Sequence, residues 1–154
     1  MMHYSFEHTP NPKDIMQDSY RLLNDYGTLL IRIPVTGSYV WEKYGKEWVQ
    51  LDAPRHLFIH SQKSMELLAE QTGFQIEKVI YESTDFQFWG SILYSNNIPL
   101  TATKLFSSDP MRDFRHLISK EEMKYFAEQS EKLNNENRGY QASFYLKKMI
   151  VYVR

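Results

Sequence analysis

The first third of the chain changes from helical to strand-like spacing of its apolar residues. From Lys13 these residues recur on one face, which predicts an amphipathic helix that Gly27 ends. They are Ile15, Met16, Tyr20, Leu22 and Leu23. Residues 28–33 are a nearly continuous apolar run, typical of a strand covered on both faces in a parallel sheet. A helix joined to such a strand by a Gly turn is half of a βαβ unit.

The pattern repeats further along the chain. A second helix is predicted from Ser61 to a stop at Gly73, and residues 74–81 alternate like a strand with one buried face. Residues 34–61 between the two units have no clear periodicity and many aromatic side chains. Connections of this length are uncommon unless they cover a site, so a functional loop is expected there.

The last third is predicted to be partly irregular before it becomes regular again. Residues 82–110 are expected to be irregular or partly helical. Ser119 with Glu122 matches a capping box, which predicts a helix to Asn134, and residues 142–153 are predicted to be a final strand. A chain of 154 residues can bury a working core, so residues 1–154 are expected to form a single α/β domain.

Composition excludes several kinds of partner and site. The net charge is −1, which provides no basic field for nucleic acid or an anionic membrane. The absence of cysteine excludes disulfides, thiolate zinc sites and cysteine nucleophiles, and fits a cytoplasmic protein. No apolar run approaches the ~20 residues of a membrane span, and the first residues do not form a signal peptide pattern.

Four strings of residues resemble the carboxyl-terminal half of class I S-adenosylmethionine-dependent methyltransferases. Their order and spacing match that family across nearly the whole chain, and together they are more specific than any one of them. The strings are SFEHTPNP (5–12), YRLLNDYGTLLIRIP (20–34), EWVQLDAPRHLFIHSQKSMELLAEQTGFQI (47–76) and NRGYQASFYLKK (137–148).

The resemblance implies a partial Rossmann-like sheet with flanking helices. Its strands would be equivalent to the family's strands four, five, seven and six, in that spatial order, with the last strand antiparallel. A helical insertion on the acceptor side is expected at residues 84–140. The resemblance also implies transfer of a methyl group from S-adenosylmethionine to a small hydroxylated acceptor, such as a sugar or another metabolite.

The family's Gly-rich cofactor loop has no counterpart among the six glycines of this chain. Such a loop lets the backbone approach a ligand and lets a helix N-terminus face its charged group. Two explanations are open: the chain is a fragment, or another polypeptide supplies the other half. S-adenosylmethionine is therefore expected as the cofactor of the full-length parent, with its main anchor outside this chain.

Glu7 and His8 follow the first predicted strand, at the edge where ligands bind in open α/β sheets. The resemblance places Ser5, Glu7 and His8 beside the cofactor, and His8 can take a proton from an acceptor hydroxyl. The alternative is that Glu7 pairs locally and His8 closes a turn. A related methyltransferase branch, which acts on ubiquinone precursors, binds a metal through Glu-x-x-Glu-His, but here Tyr4 takes the first position, so no metal is predicted.

A second group of candidates precedes the second predicted helix. His56 can act as a base with Asp52 fixing its tautomer, and Arg55 can bind an anionic group of the acceptor. Trp41 and Trp89 can wall an acceptor pocket. The alternative is structural: an Arg–Asp pair that fixes a long loop, and Trp side chains that anchor it.

A rival function from another class is a non-catalytic, degenerate methyltransferase-like domain that acts as an interaction scaffold. Without strands one to three, the first strand would be an exposed sheet edge, which favours a homodimer through that strand. A small-molecule acceptor is expected as partner under the enzymatic interpretation, and neither nucleic acid nor a membrane under either.

Overall fold

The computed structural model describes residues 1–103, 109 and 111–149. Within them, four strands and five α-helices follow one another along the chain. The elements are β1 (Met2–His3), α1 (Pro12–Leu22), β2 (Leu29–Pro34), α2 (Tyr39–Tyr44), α3 (Gln62–Gln71), β3 (Phe74–Tyr81), α4 (Phe86–Ser95), α5 (Lys120–Asn135) and β4 (Gln141–Lys148). The end of the predicted final strand, residues 150–153, lies outside the described residues.

The four strands form one sheet in the order β1-β2-β4-β3. β1 pairs with β2 in parallel, whereas β4 runs antiparallel to both β2 and β3. The last strand therefore inserts between two strands that precede it in sequence. This confirms the predicted α/β class, the order equivalent to strands four, five, seven and six, and the antiparallel last strand.

The core is centred on the pairing of β2 with β4. Alternate residues of β2 are buried, and each is in register with a buried residue of β4, as expected when one face of a pleated sheet is covered. The pairs are Leu29 with Leu146, Ile31 with Phe144 and Ile33 with Ala142. Burying each Leu, Ile or Phe side chain stabilises the fold by roughly 1.5–3 kcal/mol. The other buried members of this cluster are Phe6, Met16, Val35, Met65, Ala69 and Phe74.

The chain divides into two compact units. The first unit comprises residues 1–36, 53–81 and 141–154 and contains the whole sheet with α1 and α3. The second unit comprises residues 37–52 and 82–140 and contains α2, α4 and α5. The predicted insertion at 84–140 falls within the second unit. Its role on the acceptor side, and the description of 1–154 as a single domain, stay predictions.

Helix ends agree with the sequence where a side chain caps them. Ser119 accepts a hydrogen bond from the backbone N–H of Glu122, and the Glu122 carboxylate accepts one from the N–H of Ser119, so the predicted capping box is confirmed. Ser61 caps α3 in the same way. The prediction for α1 was wrong at its end: the helix stops at Leu22, because Leu23 is already extended.

Aromatic side chains hold the second unit together. Trp48 is fully buried and lies edge-on to Trp41, with ring centroids 5.6 Å apart. Phe88 of α4 stacks on Phe126 of α5, with centroids 4.9 Å apart. No helix in the described part of the chain has the length and apolar character needed to cross a bilayer.

Candidate functional site

The candidate site is built on the tight turn that follows β1. Residues Phe6–His8 form one turn of 3-10 helix, and the Thr9 hydroxyl donates to the carbonyl of Phe6 at 2.8 Å. Phe6 is fully buried in the sheet core, which anchors the turn. The core therefore fixes the backbone position of Glu7 and His8 at the carboxyl end of a strand.

Backbone hydrogen bonds attach a second segment to this turn. The carbonyl oxygen of Glu7 accepts from the N–H of Leu57 at 2.9 Å and from that of Phe58 at 3.3 Å. The side chain of His8 adds a third contact, since its Nδ1 lies 2.8 Å from the carbonyl oxygen of Arg55. We call this set of three contacts the loop clip. It holds residues 55–58 against the turn that carries Glu7 and His8.

The loop clip brings His56 next to His8. Their ring centroids are 4.9 Å apart, with an angle of 56° between the ring planes. One ligating atom from each of Glu7, His8 and His56 lies within 4.8 Å of the others. Three groups that can exchange protons or bind cations therefore share one place at the end of β1.

The hydrogen bond to Arg55 fixes the tautomer of His8. A carbonyl oxygen can only accept, so Nδ1 of His8 must carry the hydrogen and Nε2 is left with a lone pair when the ring is neutral. His8 is exposed and His56 is half-buried, so solutes can reach this pair. An imidazole in this state can accept a proton from a bound hydroxyl.

Glu7 contrasts with the two histidines because it is buried. The residue is 1% exposed, and its Oε2 has no hydrogen-bond partner among the described residues. An unpaired polar atom away from water costs free energy. Glu7 is therefore a buried acceptor with one oxygen that no described residue satisfies.

His60, on the same segment, has a structural role. Its ring stacks on Phe6 and Phe58, with centroids 5.5 and 6.1 Å away, and its Nδ1 is 3.2 Å from the hydroxyl of Ser64. Burial lowers the pKa of His60 below its ordinary value. Its backbone carbonyl accepts from Thr36 N–H at 3.0 Å, which ties the segment to the end of β2.

The other predicted site residues are placed as follows. Ser5 is exposed and precedes the turn, and Arg55 is exposed with its carbonyl in the loop clip. Asp52, Trp41 and Trp89 belong to the second unit. Trp89 is buried in α4 against Phe86, with centroids 4.7 Å apart, while Asp52 and Trp41 are half-buried. Their assignments to substrate or cofactor stay predictions.

Sequence reasoning proposed both His8 and His56 as catalytic residues but in two separate groups. Nothing in the spacing of two residues 48 positions apart indicates contact between them. The available signal was topological: both segments follow elements that lead to the same edge of a sheet. The loop clip, which consists of backbone and imidazole contacts, leaves no motif in the sequence.

Several solved structures match most of this chain at low sequence identity. They include a S-adenosylmethionine-dependent methyltransferase from Archaeoglobus fulgidus, 18% identical with a TM-score of 0.49 over 97% of this chain and 57% of that one. Mycolic acid cyclopropane synthase CmaA1, complexed with SAH and CTAB, is 20% identical with a TM-score of 0.46 over 95% and 53%. A putative sarcosine dimethylglycine methyltransferase from Galdieria sulphuraria is 15% identical with a TM-score of 0.47 over 95% and 51%. The chain thus spans about half the length of these proteins.

The sequence itself carries the stronger relationship. No curated protein matches it. A family model described as a methyltransferase domain matches residues 1–79, slightly more than half of the chain, and this range includes the turn and the segment of the loop clip. The chain therefore belongs to the class I S-adenosylmethionine-dependent methyltransferase family.

Proposed function

We propose that this chain forms the acceptor-side half of a domain that moves a methyl group from S-adenosylmethionine to the hydroxyl oxygen of a small acceptor, such as a sugar. The observation that supports it is the pair of imidazoles, 4.9 Å apart at the carboxyl end of a parallel strand, in a chain of this family. Transfer to an oxygen benefits from a base that removes the hydroxyl proton, and imidazole suits that role near neutral pH.

The residues after β1 fit one side of the cofactor. The exposed hydroxyl of Ser5 and the buried, unpartnered Oε2 of Glu7 are acceptors that an ammonium or ribose hydroxyl can use. When bound, S-adenosylmethionine supplies the electrophilic methyl group. We place Ser5 on the cofactor side, with Glu7 and His8 at the boundary between cofactor and acceptor.

His8 is the better placed of the two bases. Its Nδ1 hydrogen bond to the Arg55 carbonyl directs Nε2 away from that carbonyl, and the same carbonyl stabilises the ring after it takes a proton. His56, half-buried beside it, can pass the proton on or position the acceptor. The side chain of Arg55 is proposed to bind an anionic group of the acceptor. Asp52, Trp41 and Trp89 are also proposed to bind the acceptor.

The test is a transfer assay with this chain joined to, or mixed with, the segment that supplies the cofactor-binding half of the domain. It uses radiolabelled S-adenosylmethionine and a panel of monosaccharides and small phenols. Amines of matched size form the comparison panel. We expect label on oxygen acceptors and a loss of about 10²–10⁴-fold in the His8→Gln, His56→Gln double variant, which is the usual contribution of a general base. His116→Gln, at an exposed histidine of the second unit, is the matched control.

Two results would contradict the proposal. One is label on the amines with none on the hydroxyl compounds, which would indicate nitrogen acceptors. The other is an unchanged rate in the double variant, which would remove the proposed base. Binding of S-adenosylmethionine, measured by titration in the absence of acceptor, separates a defect in cofactor binding from a defect in transfer.

A further inference from the structure

We propose that Glu7, His8 and His56 form a binding site for a divalent transition-metal ion, with Zn²⁺ as the best match. One carboxylate oxygen and two imidazole nitrogens lie within 4.8 Å of one another. Two histidines and one carboxylate are a donor set that Zn²⁺ accepts, with a further coordination position left for water or substrate. Bonds of about 2.0–2.2 Å require these atoms to approach each other further, which rotation of the His56 ring and a small shift of the Glu7 carboxylate can supply while His8 keeps its contact to Arg55.

The burial of Glu7 is an independent observation that points to a ligand. Glu7 is 1% exposed, its Oε2 has no hydrogen-bond partner among the described residues, and one of its carboxylate oxygens lies within 4.8 Å of a nitrogen of each imidazole. A buried carboxylate without a cationic partner is costly, and a bound cation removes that cost. The cluster therefore has a buried anionic member and an open side formed by the exposed ring of His8.

His8 already has the outer contact that a metal-binding histidine needs. Ligating histidines usually donate their second ring N–H to a carbonyl or carboxylate, which fixes the tautomer and the ring orientation. Here Nδ1 of His8 donates to the carbonyl of Arg55 at 2.8 Å. The remaining nitrogen, Nε2, is then the one with a lone pair for a metal.

The loop clip holds the third ligand in place. Both N–H groups that follow His56, those of Leu57 and Phe58, donate to the carbonyl of Glu7. The backbone that carries His56 is therefore bonded to the residue that supplies the carboxylate. A site assembled from two distant segments in this way loses less conformational entropy when a metal binds.

The site differs from the Glu-x-x-Glu-His pattern, in which a second glutamate precedes the Glu-His pair. The third donor here comes from residue 56, 48 positions away, so spacing in the sequence did not predict a metal site. With a metal bound, the Nε2 lone pair of His8 would be a metal ligand and no longer the base of the proposed function, and the cation would instead favour loss of the acceptor hydroxyl proton to solvent. That use of the metal rests on methyl transfer to an oxygen acceptor, whereas metal binding does not. If Glu7 and His8 bind the metal, Ser5 is the remaining cofactor contact among Ser5, Glu7 and His8.

The experiment is a Zn²⁺ titration of the metal-stripped chain against a chromophoric chelator, with no cofactor or acceptor present. We expect one Zn²⁺ per chain and a rise in Kd of at least about tenfold in each of Glu7→Gln, His8→Ala and His56→Ala. His116→Ala, at an exposed histidine outside the cluster, should bind as the unaltered chain does. Zinc K-edge absorption should show two imidazoles and at least one oxygen.

Equal Zn²⁺ affinity in the unaltered chain and in His8→Ala would overturn the proposal, as would zinc bound through one imidazole. Circular dichroism establishes that each variant is folded, and His8→Ala alters an exposed side chain, so it remains informative if Glu7→Gln fails to fold. Because the titration omits S-adenosylmethionine, a failure of the metal site and a failure of the methyl-transfer proposal give different results.

Discussion

Replacing His60 with Phe tests how burial of one imidazole makes stability depend on pH. His60 is the one buried histidine of the five, and its ring stacks on Phe6 and Phe58. Its Nε2 has no hydrogen-bond partner among the described residues, so a proton added there would be buried without compensation. Phe keeps a flat ring in the stack and removes the titration.

The direction of the effect follows from the pKa. Burial lowers the pKa of His60 below its ordinary value of 6.5, so the unfolded chain binds a proton that the folded chain does not. The contribution to stability is therefore complete above the unfolded-state pKa and decreases as the pH falls below it toward the folded-state pKa. One proton corresponds to a slope of at most about 1.4 kcal/mol per pH unit.

Urea unfolding at several values between about pH 5 and pH 8 measures this slope. We expect the free energy of unfolding of the unaltered chain, minus that of His60→Phe, to decrease as the pH falls below the unfolded-state pKa. The carboxyl titrations are common to both proteins and cancel in the difference. His116→Phe controls for the general effect of removing an imidazole. A difference that does not change with pH would refute the reasoning.

Two further predictions concern backbone geometry. Gly73 has a φ of +83°, a conformation that costs a residue with a Cβ about 1–2 kcal/mol. Gly73→Ala should lower the free energy of unfolding by more than this, because the new Cβ would also lie 2.8 Å from Cε2 of Tyr20. Gly37→Ala, with φ of +78° and no atom within 4 Å of the new Cβ, isolates the backbone cost, and equal urea midpoints would contradict the clash. The chain should form a homodimer through β1, because among the described residues the sheet pairs this strand on one side only. The N–H of Tyr4 donates to β2, so alternation along the strand puts the N–H of His3 on the open edge. Proline has no N–H to donate there, so sedimentation should show a weaker dimer for His3→Pro than for His3→Ala.

The elements with strong local signals were predictable from the sequence. Strand β3 was predicted at its observed bounds, since alternation and a preceding Gly mark it clearly. α5 was predicted by its Ser119 capping box and α3 by its apolar stripe, and both are local signals. The strand order came from the family resemblance, because pairing between distant strands leaves no local signal.

The elements without such signals were missed or misplaced. α2 lies in the segment 34–61 that was predicted to be a loop, and its six residues are too few to show helical periodicity. α1 was extended to Gly27, although the backbone becomes extended at Leu23. Short helices and helix ends depend on tertiary contacts more than on propensity.

The residue types of the candidate site could be predicted from the sequence, but the distances between them could not. The residue types of His8 and His56 indicated acid–base chemistry, and the place of Glu7 and His8 after a predicted strand indicated the carboxyl edge of the sheet, whereas His56 was placed only in the loop before the second helix. Their mutual distance depends on two main-chain hydrogen bonds to the carbonyl of Glu7. Almost every residue type has a backbone N–H and C=O, so contacts of this kind cannot be predicted from the identity of the residues.

The use of main-chain donors in the loop clip separates two tasks within one short segment. Leu57 and Phe58 secure the loop with their N–H groups, while their side chains remain 51% and 42% exposed. Exchanging those side chains should therefore alter the surface that an incoming molecule meets without changing the separation of the two imidazoles. The geometry of the imidazole pair and the character of the neighbouring surface can therefore change independently of each other.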